Sequence, residues 1–362
     1  MVYRAIGLMS GSSLDGLDIA CVEFQEQAGK WSYTILKTAC SPYPPEWAER
    51  LKTATDLPAR DYQLLHAEYG HYIGQAVSQF IESNQLQYKI ALVSSHGHTT
   101  FHLPAKNMTA QLGDGAAIAA ETGLPVVTDL RALDVALGGQ GAPIVPIGEK
   151  LLLRDYDMFL NIGGIANISL NGSEYIAYDV CPANRVLNLL AAQAGREYDD
   201  GGEMAAKGKI NQDLLEKLNG LDYYRQPSPK SLANDFGTAL IYPMIMASGL
   251  GTMDALRTYT EHIAEQVKNA VINLPDPGLS GQMLITGGGA FNNFLVQSIQ
   301  QQLEKNMIKV VVPGKELVNF KEALIMAFIG VLRWRQEYNV LSSVTGAARN
   351  SIGGALWTGE EA

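Results

Sequence analysis

Gly7-Leu8-Met9-Ser10-Gly11-Ser12-Ser13-Leu14-Asp15-Gly16-Leu17-Asp18-Ile19-Ala20 decides how this chain is read. An apolar run, Tyr3 to Met9, enters the stretch, and a second, Ile19 to Phe24, leaves it. Both runs are short and rich in Ile, Val and aromatic residues, which predicts strands rather than helices. The stretch is therefore strand, Gly/Ser turn, strand. A P-loop needs a helix after the loop and a Gly-Lys-Ser/Thr ending, and no such Lys is present. The glycines permit unusual backbone angles. Successive N–H groups, with the hydroxyls of Ser10, Ser12 and Ser13, can face a phosphate. Taken alone, a tight hairpin stabilised by Asp and Ser is the better account.

The chain repeats the pattern. Phe159 to Leu170 is again strand, Gly163-Gly164 turn, strand. Met283 to Asn293 is strand, Gly287-Gly288-Gly289, then a predicted helix. Around the first hairpin, Tyr3–Met9, Ile19–Phe24 and Tyr33–Ala39 read as a three-stranded meander, broken by Ser41-Pro42-Tyr43-Pro44-Pro45. A mostly helical stretch follows from Glu46 to about Asn84. Ile90–Ser94 is a strand ending in Ser95-His96-Gly97-His98, Ala116–Thr122 a helix and Val126–Thr128 a strand. The second half restarts the plan with Met158–Asn161, Ile165–Leu170 and Tyr175–Tyr178, followed by a helix from Ala183 to Ala194. Helices Thr238–Met246 and Met253–Ile272 precede the third glycine strand; Lys309–Val312 is a strand and Glu322–Glu337 a helix.

With 362 residues, the chain is long enough for two domains and a large core. The net charge of −10 argues against nucleic acid or an anionic membrane as partners. It also means that an anionic nucleotide must be held by local donors. Cys21, Cys40 and Cys181 are odd in number and lack metal-ligand spacing, which fits a reducing cytoplasm. No signal peptide is expected before the first strand, and no apolar run is long enough to span a bilayer.

Two β-turn-β phosphate loops and a later Gly-rich strand end resemble the sugar kinase/Hsc70/actin superfamily, in which two related domains clamp ATP. More specifically, the chain resembles the anhydro-N-acetylmuramic acid kinases of peptidoglycan recycling. The matching stretches run nearly end to end: Gly7 to Gly16, Ser95 to His102, Gln111 to Gly115, Asp129-Leu130-Arg131, Gly138 to Pro143, Asn161 to Asn167, Pro229-Lys230-Ser231 and Lys321-Glu322-Ala323. The fold implied is α/β, a two-domain actin-like (ribonuclease H-like) ATPase fold with a mixed five-stranded sheet flanked by helices in each domain. The domains expected are 1–130 with 341–362, and 131–340. The glycine-rich 138–148 segment resembles a crossing between them, with a hinge near Gly138–Gly141.

The resemblance also implies roles. ATP and Mg²⁺ are the expected cofactors. Gly11, Ser12, Ser13, Leu14, Asp15, Gly16, Leu17 and Asp18 would hold the β/γ phosphates, with Gly163 and Gly164 as a second phosphate loop. Gly287, Gly288, Gly289 and Asn292 would line the adenosine side. His96, Thr99, Arg131, Asn184 and Glu322 would contact the sugar. No direct metal ligand is assigned. The partners implied are a small amino-sugar substrate and a second copy of the chain as a homodimer.

Asp179 carries most weight. By position alone, a carboxylate between a strand and a helix start more often satisfies free helix N–H groups. In the family the same place holds Asp-Thr-Gly-Pro-Gly-Asn, whose Asp is the catalytic base. Here the stretch reads Asp179-Val180-Cys181-Pro182-Ala183-Asn184, so the base is kept while the Thr and both Gly are replaced. Glu322 by itself reads as a first-turn acid complementing a helix dipole. His96, His98 and His102 invite a zinc reading, but no carboxylate or Cys stands at a recognisable spacing, and satisfied or substrate-facing histidines fit better. Two rivals stay open: a kinase for another anhydro-sugar such as levoglucosan, and a non-catalytic ATP- and sugar-binding sensor.

Overall fold

A computed structural model describes residues 1–11, 14–172, 175–227, 230–233, 235–274 and 281–359. The chain forms two compact units, Met1–Arg154 with Phe320–Ala362, and Asp155–Asn319.

The first unit holds strands β1 (Val2–Ser10), β2 (Gly16–Gln27), β3 (Lys30–Pro42), β4 (Leu92–Ser95), β5 (His98–Leu103), β6 (Met108–Leu112) and β7 (Val126–Thr128). It also holds the C-terminal strand β13 (Ala355–Trp357). Its main sheet runs β13-β7-β4-β1-β2-β3. β1, β2 and β3 are antiparallel neighbours, while β4 lies parallel to β1 and β7 parallel to β4. The helix Ala59–Ser83 presents Leu65, Tyr69, Ile73, Val77 and Phe80 to the core, a spacing of three or four that keeps them on one face. The expected helix from Glu46 is interrupted, as Pro45–Lys52 and Ala59–Ser83, at Leu57-Pro58. Gly7 is required by packing. A Cβ there would lie 1.8 Å from the Ala323 carbonyl oxygen, because the helix after Phe320 rests directly on β1.

The second unit holds β8 (Met158–Ile162), β9 (Ile165–Asn171), β10 (Tyr175–Pro182), β11 (Gly281–Thr286) and β12 (Ile308–Val311), in the order β10-β9-β8-β11-β12. β8, β9 and β10 are antiparallel neighbours; β11 is parallel to β8 and β12 to β11. Helices Asn184–Ala192, Thr252–Ile272 and Asn293–Leu303 bury Val186, Leu190, Tyr259, Ile263 and Ile299 against it.

The same order, third-second-first-fourth-fifth, occurs in both units. This is the duplicated α/β plan of the actin-like, ribonuclease H-like fold. The first unit carries a sixth strand, because β13 pairs antiparallel with β7. The units divide after Arg154 and before Phe320, not at 130 and 340. Residues 131–154 stay with the first unit through bonds such as Gly141 N–H to Asp134 Oδ2 (2.8 Å) and Gln140 N–H to the Thr345 carbonyl (2.7 Å). Gly138–Gly141 is therefore pinned inside one unit. The helix Lys315–Trp334 begins seven residues before the expected Glu322 and is broken at Phe320 (φ −117°, ψ 15°). Glu322 follows that break.

Candidate active site

The first glycine hairpin closes the end of β1–β2. Leu14 takes a left-handed backbone (φ 56°), and its N–H faces the Gly11 carbonyl at 3.4 Å. Leu17 is core, and Leu14 packs against it, so both can offer a ligand only backbone. Gly16 serves strand packing, since a Cβ would sit 2.6 Å from the Ser41 carbonyl oxygen. Ser12 and Ser13 lie outside the described residues. Asp18 sits opposite Cys40 in the β2–β3 register. Burial pushes its pKa up to about 6; the Cys40 thiol hydrogen bond opposes this, and Asp15 and Glu322 add to it. Asp18 is thus a carboxylate short of compensation for its charge.

His96 and Arg131 are brought together across the same unit. β7 ends at Thr128, and Asp129 adopts a left-handed backbone (φ 56°) that short polar side chains tolerate. The chain turns back so that Arg131 Nε donates to His96 Nε2 at 2.8 Å and one Nη1–H to the Gly141 carbonyl at 2.5 Å. The other ring nitrogen, Nδ1, then carries the proton and donates to the Gly97 carbonyl at 2.9 Å. Burial and the adjacent guanidinium hold the His96 pKa down at about 3. A neutral His96 therefore fixes a charged Arg131, whose own pKa burial lowers only to about 10, against the pull of Glu322 and Asp134. Glu322 reaches this group by charge alone. Thr99 stands exposed on β5. Lys321, beside Glu322, is structural: its Nζ donates to Glu149 Oε1 at 2.7 Å in a buried pair.

In the second unit, Asp179 lies on β10 opposite Asn167 of β9. Asn167 Nδ2 donates to Asp179 Oδ1, while Ser231 Oγ (3.1 Å) and the Leu232 N–H (2.8 Å) donate to Oδ2. The backbone is held as well: Tyr223 Oη donates to the Asp179 carbonyl at 2.6 Å, and Asp179 N–H to the Lys230 carbonyl at 3.1 Å. The replaced residues Val180, Cys181 and Ala183 are all buried in the core. The altered motif thus leaves the carboxylate fully mounted. Asn167, Ser231 and Tyr223 are positioning residues that the sequence reading did not select. Pro229 of the Pro229-Lys230-Ser231 stretch lies outside the described residues.

Gly163-Gly164 closes β8–β9, and its carbonyls accept from Asn184 N–H (3.1 Å) and Ala183 N–H (2.8 Å). A cavity of about 530 Å³ in this unit is lined by Asn184, Tyr198, Gly288, Gly289, Phe291, Asn292 and Lys315. Gly287 is left-handed (φ 82°), and a Cβ on Gly289 would lie 2.2 Å from Ile162 Cγ2, so this turn needs its glycines. Asn292 caps the helix Asn293–Leu303 by accepting from Leu295 N–H at 2.9 Å. Asn184, expected at the sugar, lines this cavity with the residues expected at adenosine. Tyr198 and Phe291, 56% and 43% exposed, add aromatic surface.

A family model described as anhydro-N-acetylmuramic acid kinase matches residues 3–359. The chain belongs to the anhydro-N-acetylmuramic acid kinase family. A relative of that name from Gloeobacter violaceus is 34% identical over 364 residues, covering 95% of this chain and 96% of the other. One from Francisella tularensis subsp. novicida is 32% identical over 373 residues, with 97% of each chain covered. One from Azorhizobium caulinodans is 34% identical, covering 98% of this chain and 99% of the other. Among solved structures, a ROK family glucokinase from Streptomyces griseus in complex with glucose and AMPPNP aligns at 12% identity and TM-score 0.41 over 90% of this chain and 98% of the other. Membership makes this chain a sugar kinase, a phosphotransferase. No described helix is long and apolar enough to cross a membrane.

Proposed function

We infer that the protein uses ATP to phosphorylate O6 of 1,6-anhydro-N-acetylmuramic acid while water opens the anhydro bridge. The products are N-acetylmuramate 6-phosphate and ADP, in peptidoglycan recycling. The observation that carries this reading is the mounting of Asp179. Its carboxylate has about four lone-pair positions, and the described residues take three, one by Asn167, one by Ser231 and one by Leu232 N–H. One direction is left for a water. A 1,6-anhydro sugar has no free O6 hydroxyl, so an ordinary sugar-kinase base would have nothing to deprotonate. Asp179 instead takes a proton from water attacking C1, as the base of an inverting glycosidase does. The C1–O6 bond breaks, and O6 receives the γ-phosphoryl group.

Phosphoryl transfer is mostly positioning and charge neutralisation. In this reading the N–H groups of the first hairpin and of Gly163-Gly164 hold phosphates. The adenosine occupies the cavity beside Gly288, Gly289 and Asn292, with Tyr198 and Phe291 against the base. Magnesium, which would neutralise phosphate charge, would be held at Asp18, a partly buried carboxylate whose register neighbour on β3 is the thiol of Cys40. Arg131 suits the lactyl carboxylate of muramate, with His96, Thr99 and Glu322 contacting the sugar hydroxyls. The enzyme is read as a cytoplasmic homodimer.

Levoglucosan lacks the lactyl carboxylate, so the fixed positive charge of Arg131 favours muramate. Sugar-dependent ADP release measured with both anhydro-sugars tests the reading. Release with the muramate compound, and little with levoglucosan, is expected. Preference for levoglucosan would move the assignment to another anhydro-sugar, and nucleotide binding without any sugar-dependent release would make the protein a sensor.

A further inference from the structure

A second cavity in the Asp155–Asn319 unit, of about 420 Å³, lies behind Asp179. Tyr178 and Val180 of β10 line it. Asp179 follows Tyr178 on the strand and points to the opposite face, the register shift coming only after it, and its side chain is not part of the lining. The rest of the lining includes Arg225, Lys230, Gln266 and Asn269 and, among the described residues, contains no carboxylate. Lys230 is the unusual member. Its ammonium donates to the Tyr223 and Tyr224 carbonyls at 3.0 and 3.4 Å and lies 4.6 Å from the centre of the Tyr223 ring. Those contacts use two of its three N–H groups and do not neutralise its charge. Among the described residues, the acid that Arg225 meets is the exposed Asp222, at 3.8 Å. Carboxamides beside two cations suit a small anion that also carries hydroxyls, because an amide both donates to and accepts from a hydroxyl.

The wall of this cavity is also the mount of Asp179. Tyr224, Arg225 and Lys230 line it. Their neighbours Tyr223, Ser231 and Leu232 bond to Asp179, whose N–H in turn bonds to Lys230. A ligand drawing Lys230 inward acts on the residues that hold Asp179, since the Lys230 carbonyl accepts the Asp179 N–H and Ser231 and Leu232 follow it directly. We propose that this cavity is a second, regulatory site for a phosphorylated sugar, coupled to Asp179 through Lys230 and the adjoining Ser231 and Leu232. The binding half stands independently of the reaction assigned above; the coupling half rests on the role given to Asp179.

The test is calorimetry on the full chain with N-acetylglucosamine 6-phosphate, unphosphorylated N-acetylglucosamine and inorganic phosphate as probes. The sugar phosphate should bind, and the other two at least about tenfold more weakly, since each lacks half of the matched groups. Arg225→Ala and Asn269→Leu, both at exposed positions, should each weaken binding by about tenfold or more while basal turnover is kept. Asp179→Asn should leave binding unchanged. In kinetics the sugar phosphate should change kcat without changing KM for the anhydro-sugar, and both cavity variants should abolish that effect. Binding that survives both variants, competition with the anhydro-sugar, or equal binding of inorganic phosphate would overturn the site. Binding lost in the variants but without effect on kcat would overturn the coupling alone.

Discussion

The two units place different chemistry at one backbone position. Counting from the hairpin end, Asp18 is in the second pair of β1–β2 (Met9↔Asp18), and Asn167 is in the second pair of β8–β9 (Asn161↔Asn167). On the next strand, Asp18 faces Cys40 and Asn167 faces Asp179. The first unit thus sets an acid on its second strand against a thiol, and the second unit sets an amide there against an acid on its third. The physical result differs. Asp18 is half-buried against a weak donor, and its pKa rises to about 6. Asp179 accepts from an amide, a hydroxyl and a backbone N–H. An acid whose charge is poorly compensated is suited to a cation, whereas an acid held by neutral donors is suited to directing a water. One sheet plan, used twice, supplies both.

The largest expected effect comes from breaking the second unit's acid. Asp179→Asn should lower turnover by about 10³-fold or more while ATP affinity stays within about twofold, because the lost group serves the water. Near-normal turnover in steady-state assays would remove Asp179 from its role. Asp18→Asn should come next, with activity falling on the order of 100-fold and the dependence on magnesium concentration moving upward.

The same variant tests the electrostatics through stability. The folded pKa of Asp18 lies above its unfolded value of 3.8, so the folded state binds more protons between about 4 and 6, and stability falls as pH rises through that window. Asn at this position should therefore raise Tm at pH 7.5, on the order of 2–4 °C, and the gain should vanish below about pH 4. A lowered Tm at neutral pH, by calorimetry, would show that Asp18 is compensated after all.

Smaller changes sharpen the contrast. Ser231→Ala should cost roughly tenfold in kcat with little change in KM for ATP, and Asn167→Asp, which opposes two carboxylates, should move the acid limb of kcat/KM to higher pH. The smallest effect is expected of Cys40→Ala. Removing the thiol deletes a contact that lowers the Asp18 pKa, so the magnesium-dependent pH profile should shift slightly upward.

The repeated hairpins were legible because apolar runs bounded by Gly-rich turns are a strong local signal. The β5–β6 hairpin was not, since His98 to Leu112 is mixed in polarity and lacks alternation. β13 escaped for its shortness, three residues held only by pairing with β7. The unit boundary at Phe320 falls at a break inside Lys315–Trp334, where no Gly or Pro marks it. Asp179, Arg131 and His96 were legible as motif residues. Their contacts were not: Asn167 and Ser231 reach Asp179 from 12 and 52 positions away, and Arg131 meets His96 across 35. Strand pairing and a left-handed turn at Asp129 create those contacts, and neither is a property of the local sequence.

The most direct test of the account is a single conversion in ¹⁸O-water, with the product analysed promptly by mass spectrometry. Water activated by Asp179 should place one ¹⁸O at C1 of the sugar and none in the phosphate ester, whose bridging oxygen is the original O6. Label in the phosphoryl group, or an unlabelled C1, would contradict it.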